Sequence, residues 1–323
     1  MSAAAELAAA LKSGDRLALA RAITLAESTR PDHQRAAREL LRCLGPEGGA
    51  HRIGVSGPPG VGKSTFLDAF GLFLLERGRR VAVLAVDPSS TVSGGSILGD
   101  KARMHRLAQD ERAFIRPSPS GGSLGGVARR TRECLLLCEA AGFDTLLVET
   151  VGVGQSETAV AEMVDGFLVL FQPGSGDELQ GIKRGILELA DVVAVNKADG
   201  EQAALARTAV RDLSAALRLV GARGPEWSAR ALAISGKEGT GFAELWAVLQ
   251  EHRSALAASG ALERKRAAQR VRWMWSAVEE QLHATLLAHP AVRARRASLE
   301  AAVGAGEMPP VEAAEELLRL ART

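Results

Sequence analysis

The feature that most constrains this chain is a glycine-rich segment that fits the pattern GxxxxGK[ST]. It follows an apolar run at residues 52–55 and opens a segment with helical spacing, which is the context that this motif requires. In that context the glycines let backbone N–H groups surround phosphate oxygens, and the helix N-terminus adds the positive end of its dipole. The residues expected to hold phosphate are Gly57, Pro58, Pro59, Gly60, Val61, Gly62, Lys63, Ser64 and Thr65.

Two side chains of this segment are expected to bind phosphate and metal. Lys63 is expected to reach the β- and γ-phosphates of a nucleoside triphosphate. Ser64 is expected to place its hydroxyl on Mg²⁺, because a hard cation prefers oxygen ligands. The segment therefore predicts a P-loop nucleotide hydrolase.

Short apolar runs recur through residues 50–255 and alternate with segments of helical length. Because these runs are apolar throughout, they are typical of strands buried on both faces. They predict one α/β domain, a mostly parallel sheet of about seven strands flanked by helices. The runs are 52–55, 81–86, 113–116, 145–149, 166–171, 192–195 and 230–234.

Helical segments flank this domain on both sides. Residues 1–49 are predicted to form a helical extension in which Asp15 caps a second helix and Pro31 opens a third. Residues 256–323 are predicted to form a helical arm with one apolar face, which packs on the α/β domain or on a second copy of the chain. The residues on that face are Val271, Trp275, Val278, Leu282 and Leu286.

Two loops after late strands point to guanine. Asp199 can accept two hydrogen bonds from the guanine N1–H and exocyclic amine, and adenine offers no such donor pair. Asn196 is expected to brace the loop, and the stem of Lys197 to lie along the base. The stretch Ser235, Gly236 and Lys237 follows the next strand, where GTPases place a second loop against the base.

The strand at residues 145–149 ends where GTPases carry a DxxG switch, with Glu149 in place of the aspartate. Glu149 is expected to hold Mg²⁺ directly or through water, and the Gly152 N–H to sense the γ-phosphate. Val153 occupies the slot of the glutamine that orients water in Ras-type enzymes, which predicts slow intrinsic turnover. The sequence leaves open whether Gln155 reaches the water.

Asp87 and Asp100 bound a stretch rich in Ser and Gly. Loops of that composition can be ordered by a γ-phosphate and Mg²⁺ and released after hydrolysis. Both aspartates are candidate magnesium ligands. From the residues alone, Asp87 is equally well explained as a turn residue before a proline, and Asp100 as a helix N-cap.

Composition excludes several classes of function. The formal charge of +2 gives no electrostatic case for nucleic acid or acidic lipid. No apolar stretch is long enough for a membrane span, so we expect a cytoplasmic protein. Cys134 and Cys138 could share a metal four residues apart on a helix, but two buried thiols are the favoured interpretation.

Several longer strings then identify a resemblance. The chain resembles the GTPases associated with methylmalonyl-CoA mutase, the MeaB/ArgK family, whose P-loop members belong to the SIMIBI class. The matching strings cover residues 54–199 densely. They are GPPGVGKSTF, VDPSS, GDKARM, RPSPSGGSLGGVARRTRE, VETVGVGQSE, ELQGIKRGI and NKAD.

The resemblance implies a homodimeric G-protein chaperone that gates adenosylcobalamin loading and protects a B12-dependent acyl-CoA mutase. That mutase would be a separate chain, and this chain alone would bind GTP or GDP with Mg²⁺ but no cobalamin. The resemblance also implies a third switch near residues 174–184, whose Gln180 and Lys183 act when the partner orders them. It implies that four side chains surround the magnesium: Ser64, Asp87, Asp100 and Glu149.

Two other functions compete with this interpretation. A nickel-insertion GTPase shares the fold but needs a Cys/His cluster, and the three Cys and six His of this chain are dispersed. A kinase linked to amino-acid transport would tolerate ATP, whereas the Asp199 loop favours guanine.

Overall fold

A computed structural model describes residues 2–45, 48–86, 104–116, 124–150, 156–174, 184–221 and 224–322, without the side chains of residues 124–127, 156 and 184.

The central element is a parallel sheet of seven strands. Its strands are β1 (His51–Ser56), β2 (Val81–Val86), β3 (Ala113–Arg116), β4 (Thr145–Thr150), β5 (Gly166–Phe171), β6 (Val192–Val195) and β7 (Arg230–Ala233). The strand order is β3-β2-β4-β1-β5-β6-β7, and every neighbouring pair is parallel. The predicted α/β fold is confirmed, and each predicted run matches a strand to within one residue at either end.

Helices cover the sheet and extend the chain at both ends. In the described residues they are α1 (Ala3–Lys12), α2 (Arg16–Glu27), α3 (Pro31–Leu44), α4 (Lys63–Glu76), α5 (His105–Ala108), α6 (Leu124–Ala140), α7 (Ser156–Ala161), α8 (Arg184–Leu189), α9 (Gln202–Val220), α10 (Phe242–Ala258), α11 (Ala261–Ala288), α12 (Pro290–Gly304) and α13 (Pro310–Leu320).

The core lies on both faces of the sheet, as the predominantly apolar strands require. Along β5, Phe167 and Val169 pack on one face, and Leu168 and Leu170 pack on the other. Each face is closed by helices, so successive side chains of one strand enter two separate apolar clusters.

Two of the N-terminal helices, α2 and α3, begin at the residues that the sequence predicts. Asp15 caps α2, since its Oδ1 accepts hydrogen bonds from the backbone N–H of Leu17 at 2.7 Å and of Ala18 at 3.1 Å. Pro31 is the first residue of α3. Buried side chains of α2 share a cluster with Cys134 and Cys138 of α6, so the extension packs on the helical layer of the sheet.

The chain forms two compact units, residues 1–269 and 270–323. The predicted boundaries after residues 49 and 255 stay predictions. In the first unit, the start of α11 is bound to the start of β5: Arg266 Nη2 donates to Asp165 Oδ2 at 2.7 Å, and Gln269 Nε2 donates to the Val164 carbonyl at 2.9 Å. In the second unit, α12 and α13 pack together around buried Val292, Leu299 and Ala313.

Across the residues that the structure describes, no helix is both long enough and apolar enough to cross a membrane.

Candidate nucleotide-binding site

The predicted site residues that the structure describes lie at one edge of the sheet. In a parallel sheet all strands end on the same side, and ligands bind in the crevice beyond those ends. The glycine-rich segment follows β1, and Glu149 is the penultimate residue of β4. Asn196 follows β6, and Ser235 follows β7. Four segments that are distant in sequence therefore contribute described residues to this edge.

The glycine-rich segment forms the turn between β1 and α4. At Gly57 a Cβ would lie 2.5 Å from the Leu170 carbonyl oxygen, so only glycine allows this approach to β5. At Gly62 the backbone is left-handed, with φ of +92°, and a Cβ would lie 3.0 Å from Asn196 Nδ2. These two glycines fix the loop so that the N–H groups at the start of α4 face the crevice.

Lys63 folds over this loop. Its Nζ donates to the carbonyl oxygens of Gly57 at 2.7 Å and Pro58 at 3.3 Å. Burial lowers the pKa of the ammonium, while the carboxylates of Glu149 and Glu157 oppose that shift. Two backbone carbonyls therefore hold a half-buried cation at the place where a phosphate would enter.

Ser64 and Glu149 come together from different elements. The Ser64 hydroxyl donates to Glu149 Oε1 at 3.5 Å, and Glu149 is buried at the end of β4. The neighbouring strand ends are tied by the Thr150 hydroxyl, which donates to Ser56 Oγ at 2.8 Å. A hydroxyl and a carboxylate that converge beside the N–H groups at the start of α4 offer oxygen ligands of the kind that Mg²⁺ prefers, so these residues fit the ion.

Asn196 begins the stretch 196–199 that is predicted to contact the base, the base loop. It joins this loop to the glycine-rich loop and to the loop at Gly236. Its Nδ2 donates to the Val61 carbonyl at 2.8 Å, and its Oδ1 accepts from the Gly236 N–H at 2.8 Å. A Cβ at Gly236 would lie 3.2 Å from Asn196 Oδ1, so this approach also favours glycine. The buried amide thus fixes the phosphate loop, the base loop and the Gly236 loop relative to each other.

Lys197 adopts a left-handed backbone, with φ of +60°, which costs a non-glycine residue roughly 1–2 kcal/mol. Its Nζ donates to the Gly60 carbonyl at 2.7 Å and to Gln172 Oε1 at 3.2 Å. The side chain therefore spans from the base loop to the glycine-rich loop.

Asp199 is oriented by the loop after β7. Its Oδ1 accepts a hydrogen bond from the Ser235 hydroxyl at 2.6 Å, and Ser235 Oγ accepts from the Glu238 N–H at 3.1 Å. A carboxylate has about four lone-pair sites, so Asp199 keeps the capacity to accept two further hydrogen bonds. Lys237 and Thr65 are exposed at the rim.

Several predicted residues lie outside the described part of the chain. They are Asp87, Asp100, Gly152, Val153, Gln155, Gln180 and Lys183.

Two residues of this edge escaped the sequence analysis. Glu157 is buried in the first turn of α7 and acts electrostatically on Lys63. Gln172 follows β5 and accepts the hydrogen bond from Lys197. The only signal for Glu157 was its place at the end of the string VETVGVGQSE, and Gln172 carried none, because a single amide after a strand is common.

Comparison with known proteins identifies relatives along nearly the whole chain. The family model "Methylmalonyl Co-A mutase-associated GTPase MeaB" matches residues 19–291. The chain belongs to the MeaB family. Its GTPase activity follows from that membership and from relatives that are themselves named GTPases.

Individual relatives of this MeaB-family chain are similar over most of its length. A probable GTPase of Mycobacterium tuberculosis is 56% identical over 98% of this chain and 94% of its own length. The mitochondrial methylmalonic aciduria type A homolog of Mus musculus is 46% identical over 96% of this chain and 77% of its own length. A solved structure, that of a LAO/AO transport system kinase, is 40% identical with a TM-score of 0.76, covering 99% of this chain and 98% of that one.

Proposed function

We propose that this chain is a G-protein chaperone of a B12-dependent acyl-CoA mutase, methylmalonyl-CoA mutase or a close relative. In this role it binds and hydrolyses GTP, gates the loading of adenosylcobalamin and protects the mutase from inactivation. The observation that carries the proposal is the match of residues 19–291 to a family described as mutase-associated GTPases. The mouse relative named for methylmalonic aciduria supports the same partner.

The residues at the sheet edge supply the parts of a GTPase. The glycine-rich loop and Lys63 bind the phosphates, and Asp199, oriented by Ser235, accepts hydrogen bonds from guanine. Asn196 keeps these two loops at a fixed separation. Because the base and the phosphates are held by one rigid set of contacts, the γ-phosphate is positioned for attack by water.

Ser64 and Glu149 would hold magnesium, with Asp87 and Asp100 as further proposed ligands. When bound, the ion neutralises the charge that develops on the phosphate oxygens. Lys63 adds a second positive charge, and its two contacts with carbonyl oxygens leave one of the three ammonium donors for phosphate. We propose that Gly152 senses the γ-phosphate through its N–H.

The proposed regulation by the partner compensates for what the segment after Glu149 lacks. Val153 cannot orient water, so the intrinsic rate is slow. Gln180 and Lys183 are proposed to act when the mutase orders them, and the lysine would then supply transition-state charge compensation. The chain itself binds no cobalamin, since that cofactor belongs to the mutase.

We further propose that the chain is a homodimer. The second unit exposes a row of large apolar side chains on α11, namely Val271, Met274, Trp275, Val278 and Leu282. Isolated exposed apolar residues are ordinary, but a contiguous row containing tryptophan is typical of a protein interface. A second copy of the chain is the partner that buries such a row symmetrically.

Turnover measurements test the partner. GTP hydrolysis is measured with and without purified methylmalonyl-CoA mutase, and we expect the mutase to raise the rate at least several-fold. A rate that the mutase leaves unchanged, in both the intact chain and the Lys183→Ala variant, would contradict the proposal.

A second candidate function comes from the solved relative, a transport system kinase. A kinase would transfer the γ-phosphoryl group to an acceptor other than water and would accept ATP. Comparing ATP with GTP and measuring free phosphate against consumed nucleotide separates the two functions. Equal amounts of phosphate and GDP, with ATP unused, favour the GTPase chaperone.

A further inference from the structure

A pair of buried hydroxyls lies where the glycine-rich loop begins. Ser56 is the last residue of β1, Thr150 is the last residue of β4, and both are fully buried. The Thr150 hydroxyl donates to Ser56 Oγ at 2.8 Å. A buried hydroxyl without a partner is costly, so each of these two side chains depends on the other.

The pair extends the contact between the two strands beyond their backbone ladder. The last paired backbone positions of β1 and β4 are Val55 and Glu149. Ser56 and Thr150 come next along the strands, and their backbones pair with the strands on the other sides, β5 for Ser56 and β2 for Thr150. The side-chain hydrogen bond therefore holds β1 to β4 at the point where the two strands lead into different segments of the site.

Each hydroxyl lies next to one part of the proposed magnesium site. Ser56 directly precedes the glycine-rich loop, which leads to Ser64 in the first turn of α4. Thr150 directly follows Glu149, whose Oε1 accepts the hydrogen bond from the Ser64 hydroxyl at 3.5 Å. The separation of the two strand ends therefore bears directly on the separation of the two oxygens proposed to hold the ion.

Two other contacts of the glycine-rich loop lie on the opposite side of β1. Gly57 approaches the Leu170 carbonyl of β5, and the Val61 carbonyl accepts a hydrogen bond from Asn196, which follows β6. In the sheet, β5 and β6 lie on one side of β1 and β4 lies on the other. These contacts fix the loop toward β5 and β6, and the hydroxyl pair fixes its beginning toward β4.

We infer that Ser56 and Thr150 are positioning residues for magnesium: their hydrogen bond sets the separation between Glu149 and the loop that leads to Ser64. In this role neither hydroxyl touches nucleotide or ion. The inference rests on the proposed magnesium site and deepens it, because it names the pair that keeps the two described ligands at a fixed distance.

Release of a fluorescent GDP analogue tests this inference without relying on turnover. The dissociation rate is measured in EDTA and in Mg²⁺, and the ratio of the two rates reports how strongly the ion retains the nucleotide. Thr150→Val keeps the shape of the side chain and removes the donor, so we expect the ratio to fall about fivefold, the effect of losing one hydrogen bond. The rate in EDTA should change by less than about twofold, since the hydroxyl does not contact the nucleotide.

Three further variants show whether the hydroxyls act as a pair. Thr150→Ser keeps the donor, so its ratio should stay within about twofold of the wild type. Ser56→Ala removes the acceptor and should lower the ratio as much as Thr150→Val does. Combining Ser56→Ala with Thr150→Val should lower the ratio no further, because both changes remove the same hydrogen bond. The double variant leaves no hydroxyl of the pair unpaired, so it provides the same measurement if Thr150→Val alone does not fold.

Thr145→Val is the matched control. Thr145 is a buried threonine at the other end of β4, and its hydroxyl donates to Asp144 Oδ1 at 2.7 Å. It lies roughly 17 Å from Thr150 along the strand, at about 3.3 Å per residue. The variant removes a buried hydroxyl from the same strand but far from the site, so the ratio should keep its wild-type value.

The outcomes separate this inference from the proposals beneath it. A wild-type chain that does not bind the analogue would overturn the proposed function, and a wild-type ratio of one would overturn the magnesium site together with this inference. A wild-type response that Thr150→Val retains would overturn the positioning role alone. Equal losses in Thr150→Val and Thr145→Val would show that the ratio follows the stability of β4, which also overturns the positioning role.

Discussion

The proposed base recognition depends on one carboxylate and the hydroxyl that orients it. Asp199 receives its hydrogen bond from Ser235, a fully buried residue, so the carboxylate is fixed before any nucleotide arrives. A fixed acceptor discriminates well, because a base without the matching donors leaves it unpaired.

Asp199→Asn should therefore weaken guanine binding. An amide N–H would face the exocyclic amine of guanine, and the loss of a charged hydrogen-bond pair of about 2 kcal/mol lowers affinity roughly 30-fold. Xanthine carries a carbonyl at that position and should gain affinity. Calorimetry with GDP, XDP and ADP measures this, and an unchanged order of affinities would contradict the role of Asp199.

His51, at the opposite end of β1, gives the stability of the chain a pH dependence. Burial lowers the pKa of the ring to about 3, and the nearby Arg253 also lowers it while Asp165 opposes the shift. The folded chain therefore keeps the ring neutral, whereas the unfolded chain protonates it near pH 6.5. The stabilisation is complete above pH 6.5 and is lost as the pH falls toward 3.

This dependence can be measured by urea unfolding. The contribution of His51 should decrease by about 1 kcal/mol between pH 6.5 and 5.5, because the unfolded chain binds a proton that the folded chain does not. His51→Leu should flatten the curve in this window. His283→Gln, on the exposed part of α11, serves as the control and should leave the slope as it is.

At the scale of elements, the strands could be predicted and the contacts between distant elements could not. Each strand is a run of apolar residues bounded by turns, so a local pattern determines it. The contact of Asp68 with Leu107 joins residues 39 apart, and that of Asp165 with Arg266 joins residues 101 apart. Charged residues are frequent in any sequence, and nothing local marks which two of them will pair.

The same limit applied to the site. The glycine-rich loop and the base loop could be found because their chemistry needs residues at fixed spacing. Gln172 and Glu157 became visible only when the fold placed them beside Lys197 and Lys63.

The attachment of α11 to the start of β5 should depend strongly on the charge of Arg266. Burial raises the pKa of Asp165, but its hydrogen bonds with Arg266 outweigh this and hold the pKa below its usual value. Both side chains are almost fully buried. Arg266→Ala would leave a buried carboxylate unpaired, so we expect the free energy of unfolding to fall by about 3–5 kcal/mol.

Urea unfolding of three variants separates the charge from the packing. Arg266→Met with Asp165→Asn removes both charges and should cost less than Arg266→Ala alone. Arg296→Ala, which breaks an exposed ion pair with Glu300, should change the free energy of unfolding by less than about 1 kcal/mol. A loss at Arg266 no larger than at Arg296 would contradict the buried attachment.

For the whole molecule, the proposed dimer predicts a specific sensitivity. Trp275 is 59% exposed in the single chain. Trp275→Glu would place a charge in an interface that excludes water, so sedimentation should show a shift from dimer toward monomer. Leu219→Glu, at a side chain that is 87% exposed on α9, should leave the sedimentation coefficient unchanged.

The parallel sheet also limits how the chain can be divided. The proposed nucleotide site lies at the edge where the strands end, and its residues come from segments between Ser56 and Lys237. They are spread over this length because each connection crosses back to the opposite edge before the next parallel strand begins. A chain cut before Ser235 would lose the hydroxyl that orients Asp199 and also Phe242, whose ring packs against Phe66 of α4. The same cut would therefore disturb the support of the glycine-rich loop together with the orientation of Asp199, and no fragment that ends there keeps one without the other.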